Sequence, residues 1–73
     1  MLSWQKALDD GSAWVADPES GYHLAVWQGG RGWNWHVLGP GDRVIVEYWA
    51  EPDVATAKAV AERHYQAYRE AGR

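Results

Sequence analysis

The stretch Gly21–Leu38, GYHLAVWQGGRGWNWHVL, decides the fold. On each side of the turn Gly29–Gly32, large apolar residues recur at every second position, which is typical of two β-strands joined by a tight hairpin. Glycine adopts positive φ at little cost, so this turn suits such a hairpin. Turn length and periodicity predict the same antiparallel register, in which three pairs share one face of the sheet. Those pairs are Gln28–Trp33, Val26–Trp35 and Leu24–Val37.

Outward from this hairpin, the sequence predicts further strands and one helix. The runs Ala13–Ala16 and Arg43–Trp49 contain β-branched or aromatic residues and are flanked by Gly- and Pro-containing turns, so both are predicted strands. Asp53 is the predicted N-cap of a helix over Val54–Ala71, whose apolar side carries alanines at helical spacing. Gly72 is predicted to end that helix.

This order of elements predicts an α+β fold, with a three- to four-stranded antiparallel β-meander packed on one C-terminal α-helix. A chain of 73 residues allows a single domain, 1–73. The N-terminal segment is the least determined part, because Leu2, Trp4 and Leu8 fit either a helical turn or an irregular edge strand. We expect Trp4 to lie against the body of the domain, since an exposed indole is unfavourable. The N-terminal segment, the meander and the helix are predicted at 1–11, 12–49 and 53–71.

Composition limits the classes of function. The six Trp and four Tyr supply the large apolar groups that a short chain needs, because a chain of this length buries only about 60% of its unfolded surface. The sequence has no cysteine, which excludes disulfides and thiolate zinc sites. The formal net charge of −3 argues against a protein whose main partner is nucleic acid. The N-terminus, MLSWQKALDDGSAW, predicts neither a signal peptide nor a membrane span, and the expected location is the cytoplasm.

One face of the predicted sheet is left uncovered by the helix. We expect the helix to pack on the face that includes Val44, Val46 and Tyr48. The opposite face, here called the predicted outer face, then carries three Trp, and an apolar patch of this kind usually marks an interface. Two alternatives stay open: the N-terminal segment with Trp4 covers part of that face, or the two faces are reversed. The predicted outer face consists of Trp14, His23, Ala25, Trp27, Asn34, His36, Leu38, Ile45, Glu47 and Trp49.

Seven residues on this face and in the hairpin turn are predicted to bind a partner, because Trp is the residue most enriched in binding hot spots. They are Trp14, Trp27, Arg31, Asn34, His36, Glu47 and Trp49.

Metal and enzyme chemistry have little support in the sequence. His23, His36 and Glu47 have the side-chain types of a three-ligand zinc site, but their spacing matches no known motif, so no metal site is predicted. No catalytic residue and no cofactor is predicted either. The glycine-rich turn lies between two strands, whereas a phosphate-binding loop leads into a helix. His64 is predicted to be a core or boundary histidine. Three serines have no predicted His–Asp partner, namely Ser3, Ser12 and Ser20.

The order of three strands and a helix resembles the small DNA-binding domains of plant ethylene-response factors and of phage integrase N-termini. Those domains lay a sheet face rich in Arg and Lys in the major groove, so the resemblance implies nucleic-acid binding. This sequence departs from them, because only Arg31 and Arg43 lie near the predicted outer face, at turns on opposite ends of the meander. The matching pieces are Tyr22–Gln28, Trp33–Leu38, Val44–Trp49 and Ala55–Glu70.

At sequence level the chain is similar to small uncharacterised proteins of bacteria and their phages, often encoded among accessory genes. This resemblance implies a phage or mobile-element accessory protein that acts on a host component, although the shared pattern mostly determines the fold. The pattern is Tyr22-x-Leu24-x-Val26, then Trp33-x-Trp35-x-Val37, then Ala50, and Ala57-Lys58 leading into Ala61-Glu62.

Together these features predict a small non-enzymatic binding protein that docks on a host protein through its Trp-rich sheet face. An anti-CRISPR-type inhibitor of a bacterial defence system is one concrete form. The first alternative is a nucleic-acid-binding domain in which Trp and His stack on unpaired bases. The second is a structural homodimer in which two Trp-rich faces meet.

Overall fold

The computed structural model describes residues 2–19 and 21–71, with residue 42 as backbone only. In this part of the chain, five strands form one open antiparallel sheet in sequence order, followed by one α-helix. The α+β class, the meander and the C-terminal helix are as predicted. Ser20 and the predicted helix stop at Gly72 lie outside the described residues. The elements are β1 (Gln5–Lys6), β2 (Ala13–Ala16), β3 (His23–Gly29), β4 (Gly32–Gly39), a 3-10 turn (Pro40–Asp42), β5 (Arg43–Glu51) and α1 (Val54–Ala71).

The additional strand is β1, which lies in the N-terminal segment, the least determined part of the sequence. Gln5 lies opposite Val15 and Lys6 opposite Trp14, so β1 adds a two-residue strand to the edge of β2. The sheet therefore has five strands, whereas three to four were predicted. A two-residue strand has too few residues to show a period, which explains why alternation did not reveal it.

The central hairpin of β3 and β4 has the predicted register, with all three expected pairs in place. Its turn consists of Gly30 and Arg31 alone, and a two-residue turn of this kind determines the register of both strands. Gly32 follows at φ +131°, and a Cβ there would lie 2.6 Å from the carbonyl oxygen of Glu51. Glycine is thus needed at position 32 for its backbone angle and for the close approach of β5.

The core lies between α1 and one face of β2, β3 and β4. Small residues of α1 bring its axis close to the sheet, which carries the large apolar groups. Asp53 caps α1 as predicted, because its Oδ1 accepts a hydrogen bond from the backbone N–H of Thr56 at 2.7 Å. The buried residues are Ala16, Leu24, Val26, Trp35, Val37, Ala57, Ala61 and Tyr65.

A β-bulge in β5 changes which residues face the helix. Val37 lies opposite Val46, but the next pair is Leu38–Val44, so Ile45 is one extra residue on β5. An extra residue reverses the alternation of side chains beyond it. The predicted positions of Val44 and Ile45 are therefore both wrong. Val44 lies on the face away from α1 and is 50% exposed, whereas Ile45 packs against the core.

A second irregularity lies near the end of β5, between the pairs Trp33–Glu51 and Trp35–Tyr48. Ala50 in this segment has φ +77°, a left-handed conformation that costs an L-residue roughly 1–2 kcal/mol. The Glu51 carboxylate beyond it accepts a hydrogen bond from the Trp35 indole Nε1 at 3.0 Å. The irregular end of β5 thereby gives the buried Trp35 indole its acceptor.

The N-terminal segment packs on the helix side of the sheet. The Trp4 indole Nε1 donates a hydrogen bond to Glu62 Oε2 of α1 at 2.6 Å. The Lys58 ammonium group lies 3.5 Å from the centre of the Trp14 ring and 5.9 Å from that of Trp4. Burial lowers the pKa of Lys58, and the Glu62 carboxylate opposes this shift. Trp4 thus lies against the body of the domain, as expected, and on the side that α1 occupies.

The β2–β3 loop is tied to the far half of α1 through Glu19. The Tyr65 hydroxyl donates a hydrogen bond to Glu19 Oε1, and the same oxygen lies 2.7 Å from Nε of Arg69. Burial, and then the Glu19 carboxylate, raise the pKa of Tyr65 to about 12.

No helix in the described residues has both the length and the apolar character needed to cross a membrane.

Candidate functional site

The sheet face opposite α1 is uncovered by the described residues, and we call it the open face. Both α1 and Trp4 pack on the other side of the sheet. The two alternatives left by the sequence, cover by Trp4 and reversal of the faces, are therefore ruled out. The residues of the open face are Ala13, Val15, His23, Ala25, Trp27, Asn34, His36, Leu38, Val44, Glu47 and Trp49.

The centre of the open face is aromatic. The rings of Trp27 and His36 meet edge to face with their centres 5.1 Å apart, and the His23 ring lies 6.2 Å from that of His36. Partial burial lowers the pKa of His36, the neighbouring His23 lowers it further, and Glu47 on β5 opposes both effects. The lowered pKa favours the neutral form of His36 at neutral pH, so the main charge beside the Trp27–His36 pair is the Glu47 carboxylate opposite His36.

One end of the open face has a shallow cavity of about 440 Å³, lined by Gly30, Arg31, Asn34 and Trp49. A Cβ at Gly29 would lie only 2.6 Å from Asn34 Nδ2, so the missing side chain at Gly29 gives the Asn34 amide its place. The cavity combines an indole, an amide and a guanidinium group. Such a set can pack against apolar groups of a protein surface and also hydrogen-bond its polar groups.

The opposite end of the open face is polar. His23 Nδ1 lies 2.7 Å from Asp17 Oδ1, at the rim of a second open cavity of about 450 Å³ that Leu38 also lines. This pair links the start of β3 to the β2–β3 loop. Polar groups therefore lie at both ends of the aromatic centre.

Six of the seven predicted partner-binding residues lie together on the open face or in the hairpin turn at its end. Trp14 does not, and its predicted position is wrong. Because Trp14 lies opposite the buried Val26, its side chain is on the helix side, where it contacts Lys58. Its indole Nε1 donates to the carbonyl oxygen of Gly11 at 3.0 Å. The six residues brought together are Trp27, Arg31, Asn34, His36, Glu47 and Trp49.

Several contributors to this surface are missing from the predicted set, among them Val15, which lies on the face where Trp14 was expected. Val44 was assigned to the helix side by strict alternation, and no motif in the sequence marks the bulge that moves it. Gly29 was assigned only to the turn, although it also leaves room for Asn34. The glycine-rich run Gly29–Gly32 is consistent with this second role of Gly29, but a tight turn alone already accounts for its glycines.

The histidines do not assemble a metal site in the part of the chain that the structure describes, where no group of three or more His, Asp or Glu side chains could hold an ion. His64 stands at the edge of the core. Its side chain is exposed, and its ring lies 5.1 Å from the ring of the buried Trp35. Of the two positions predicted for His64, core or boundary, the structure shows the boundary position.

Comparisons of the chain with models of protein families, with curated proteins and with solved structures found no match. The resemblances to DNA-binding domains and to phage accessory proteins therefore stay predictions. The candidate site rests on the geometry of the open face itself.

Proposed function

We propose that the protein is a small non-enzymatic binding protein whose open face docks on another protein. The observation that carries this proposal is the exposure of Trp49, which is 56% accessible on a face that both α1 and Trp4 leave uncovered. Burying the exposed part of an indole contributes about 2–3 kcal/mol to a complex. Trp27 and His36 extend this apolar surface inward from the edge.

The polarity of the open face supports a protein as the partner. Protein interfaces have an apolar, often aromatic centre with few charges and a polar rim. Here Trp27 and His36 form an aromatic centre beside the single carboxylate of Glu47, and Arg31, Asn34 and Asp17 lie at the two ends. The Arg31 guanidinium is suited to pair with a carboxylate of the partner, since its planar donors fit that group.

A protein of a bacterial host is the partner that we propose, with inhibition of a defence system as the concrete form. The support is the resemblance to phage accessory proteins together with the exposed, largely aromatic character of the open face. A domain of this size inhibits most simply by occupying a surface that its target needs.

The first experiment is affinity capture from lysates of bacterial hosts, followed by titration of the captured protein in purified form. We expect Trp49→Ala to weaken binding at least about tenfold, because about 1.4 kcal/mol corresponds to a factor of ten. Tyr68→Ala is the matched control, since Tyr68 is a 50% exposed aromatic residue on α1. Equal losses for both variants, or no loss for Trp49→Ala, would contradict docking through the open face.

The nucleic-acid alternative is tested in parallel by the fluorescence anisotropy of labelled single-stranded and double-stranded oligonucleotides at low salt. We expect no change, because the net charge of −3 leaves few groups to neutralise phosphates. Binding with a steep salt dependence that is lost in Trp27→Ala would replace the protein-binding proposal with stacking of bases on the open face.

A further inference from the structure

The two edges of the sheet differ in length and protection. β1 contributes two residues to one edge, whereas β5 runs for nine residues along the other. Within residues 2–19 and 21–71, no strand pairs with the outer edge of β5. Such an edge presents unpaired N–H and C=O groups that another strand can join.

Exposed apolar side chains are concentrated on β5, the strand with the unpaired outer edge. Val44 is 50% exposed, Tyr48 53% and Trp49 56%, and all three belong to β5. Val44 and Trp49 lie on the open face, whereas Tyr48, opposite Trp35, lies on the helix side. A protein docked on one face of the sheet would leave the other side of β5 exposed. A strand added to the edge covers both sides at once, because its side chains alternate between the two faces.

The helix side of β5 has room for the side chains of an added strand. α1 packs over β3 and β4 and leaves a cleft of about 390 Å³ between itself and β5. The cleft is lined by apolar groups of both elements, including Val46, Tyr48 and Val60, with Arg63 and His64 at the helix. Side chains that point from a neighbouring strand toward this side would enter the cleft.

The charges of β5 favour a second copy of the same strand. β5 begins with Arg43 and ends with Glu51, so its two ends carry opposite charges. Antiparallel pairing about a two-fold axis brings each Arg43 beside Glu51 of the second copy, twice per dimer. With the axis at Glu47, Val46 lies opposite Tyr48 of the second copy, and both side chains are on the helix side.

We propose that two copies of this chain pair antiparallel through their β5 edges, giving one continuous sheet with five strands from each copy. The two open faces then lie side by side on one surface. The pairing does not depend on the proposed function, because it uses the edge of β5 and the cleft rather than the centre of the open face. One contact opposes it: at the axis, Glu47 faces Glu47 of the second copy, and directly opposed like charges destabilise a strand pair.

The repulsion between the two Glu47 side chains allows a test in which one substitution weakens the dimer and another strengthens it. We expect sedimentation or light scattering at increasing concentration to show a mass approaching twice the 8.2 kDa of the chain. Tyr48→Lys should raise the dissociation constant at least about tenfold, because it places a charge at the edge where the second strand must lie. Glu47→Gln should lower it several-fold. Trp27→Ala, at the centre of the open face, should leave it unchanged.

A cross-linking experiment checks the register independently of any loss of folding. Because the chain has no cysteine, Glu47→Cys introduces a single thiol, and only a second copy can pair with it. Facing residues of antiparallel strands have Cα atoms about 4.5–5.5 Å apart, within disulfide range. We expect rapid oxidation of this variant to a covalent dimer. The matched control, Gln66→Cys on the exposed side of α1, should stay monomeric under the same conditions.

Three outcomes would overturn the proposal. The first is a single-chain mass for the wild type up to millimolar concentration. The second is a dimer that Tyr48→Lys leaves intact and Trp27→Ala disrupts, which would mean that the two open faces meet instead. The third is equal cross-linking of Glu47→Cys and Gln66→Cys, which would show random collision rather than a strand pair.

Discussion

Lys58 should stabilise the fold through the Trp14 ring, and this contact distinguishes the position of Trp14 in the structure from the one that the sequence predicted. The ammonium group lies 3.5 Å from the centre of that ring. A cation over an indole contributes about 0.5–1 kcal/mol at exposed sites and about 2 kcal/mol when desolvated. Lys58 is partly buried. We therefore expect an interaction of about 1–1.5 kcal/mol, mostly with Trp14 because the Trp4 ring is farther away.

The measurement is a double-mutant cycle of Lys58→Met and Trp14→Leu. Methionine keeps an apolar stem and removes the charge, and the cycle cancels the loss of the Lys58–Glu62 attraction. Unfolding by urea, followed by circular dichroism, should give a coupling of about 1 kcal/mol. Lys58→Met alone should lower the Tm by roughly 4–8 °C, as expected for a loss of about 1 kcal/mol in a domain of this size.

Lys6 offers a matched control on the same ring. Its ammonium group lies 5.8 Å from the Trp14 ring centre, near the outer limit of about 6 Å for a cation–π contact. The coupling of Lys6→Met with Trp14→Leu should therefore be below about 0.3 kcal/mol, within the error of additivity. A coupling for Lys58 that is no larger than that of Lys6 would refute the contact. It would favour the alternative that Trp14 lies on the face away from α1.

Three further predictions follow from other parts of the structure. Ala50→Gly should raise the free energy of unfolding in urea by about 1 kcal/mol, because glycine adopts φ +77° without the cost that alanine bears. The greater conformational freedom of glycine in the unfolded chain offsets only part of this gain. Since the pKa of Tyr65 is raised to about 12 from its ordinary value of 10, its stabilising effect should be intact below pH 10 and be lost as the pH rises toward 12. Tyr65→Phe should reduce this alkaline loss in a circular-dichroism titration, and an unchanged titration would show that Tyr65 is not its source. Trp4→Leu should speed unfolding in stopped-flow experiments and leave the folding rate nearly unchanged; slower folding would mean that Trp4 docks early.

The accuracy of the sequence-based predictions depended on the lengths of the connections. The two-residue turn between β3 and β4 leaves one register, and the predicted pairs around it are confirmed. The β2–β3 connection is longer, at residues 17–22, and it permits several registers. In β2, each face carries one larger residue, Trp14 or Val15, so alternation could not choose between them. Trp14 was placed on the wrong face for this reason.

The errors in β5 have a different cause. Strict alternation predicts faces correctly only while the strand pairs residue for residue with β4. Ile45 interrupts that pairing, and a bulge of this kind depends on how the strand fits its neighbours rather than on its own composition. Most of the candidate site was predictable, because Trp27, Asn34 and His36 belong to the hairpin whose register is determined by its turn. The exposure of Val44 was not predictable.

The hydrogen bond between Trp4 and Glu62 joins residues 58 positions apart, whereas every strand pairs with its immediate neighbours in the chain. The entropic cost of closing a loop grows only with the logarithm of its length, by about 0.6 kcal/mol for each doubling. The antiparallel hairpins shorten that loop further once they form. During synthesis on a ribosome, β2 to β5 can pair as each strand emerges, but Trp4 has no partner until α1 has been made. We therefore expect β1 to pair with β2 early and the Trp4 side chain to dock on α1 late, which is the order that the kinetics of Trp4→Leu would report.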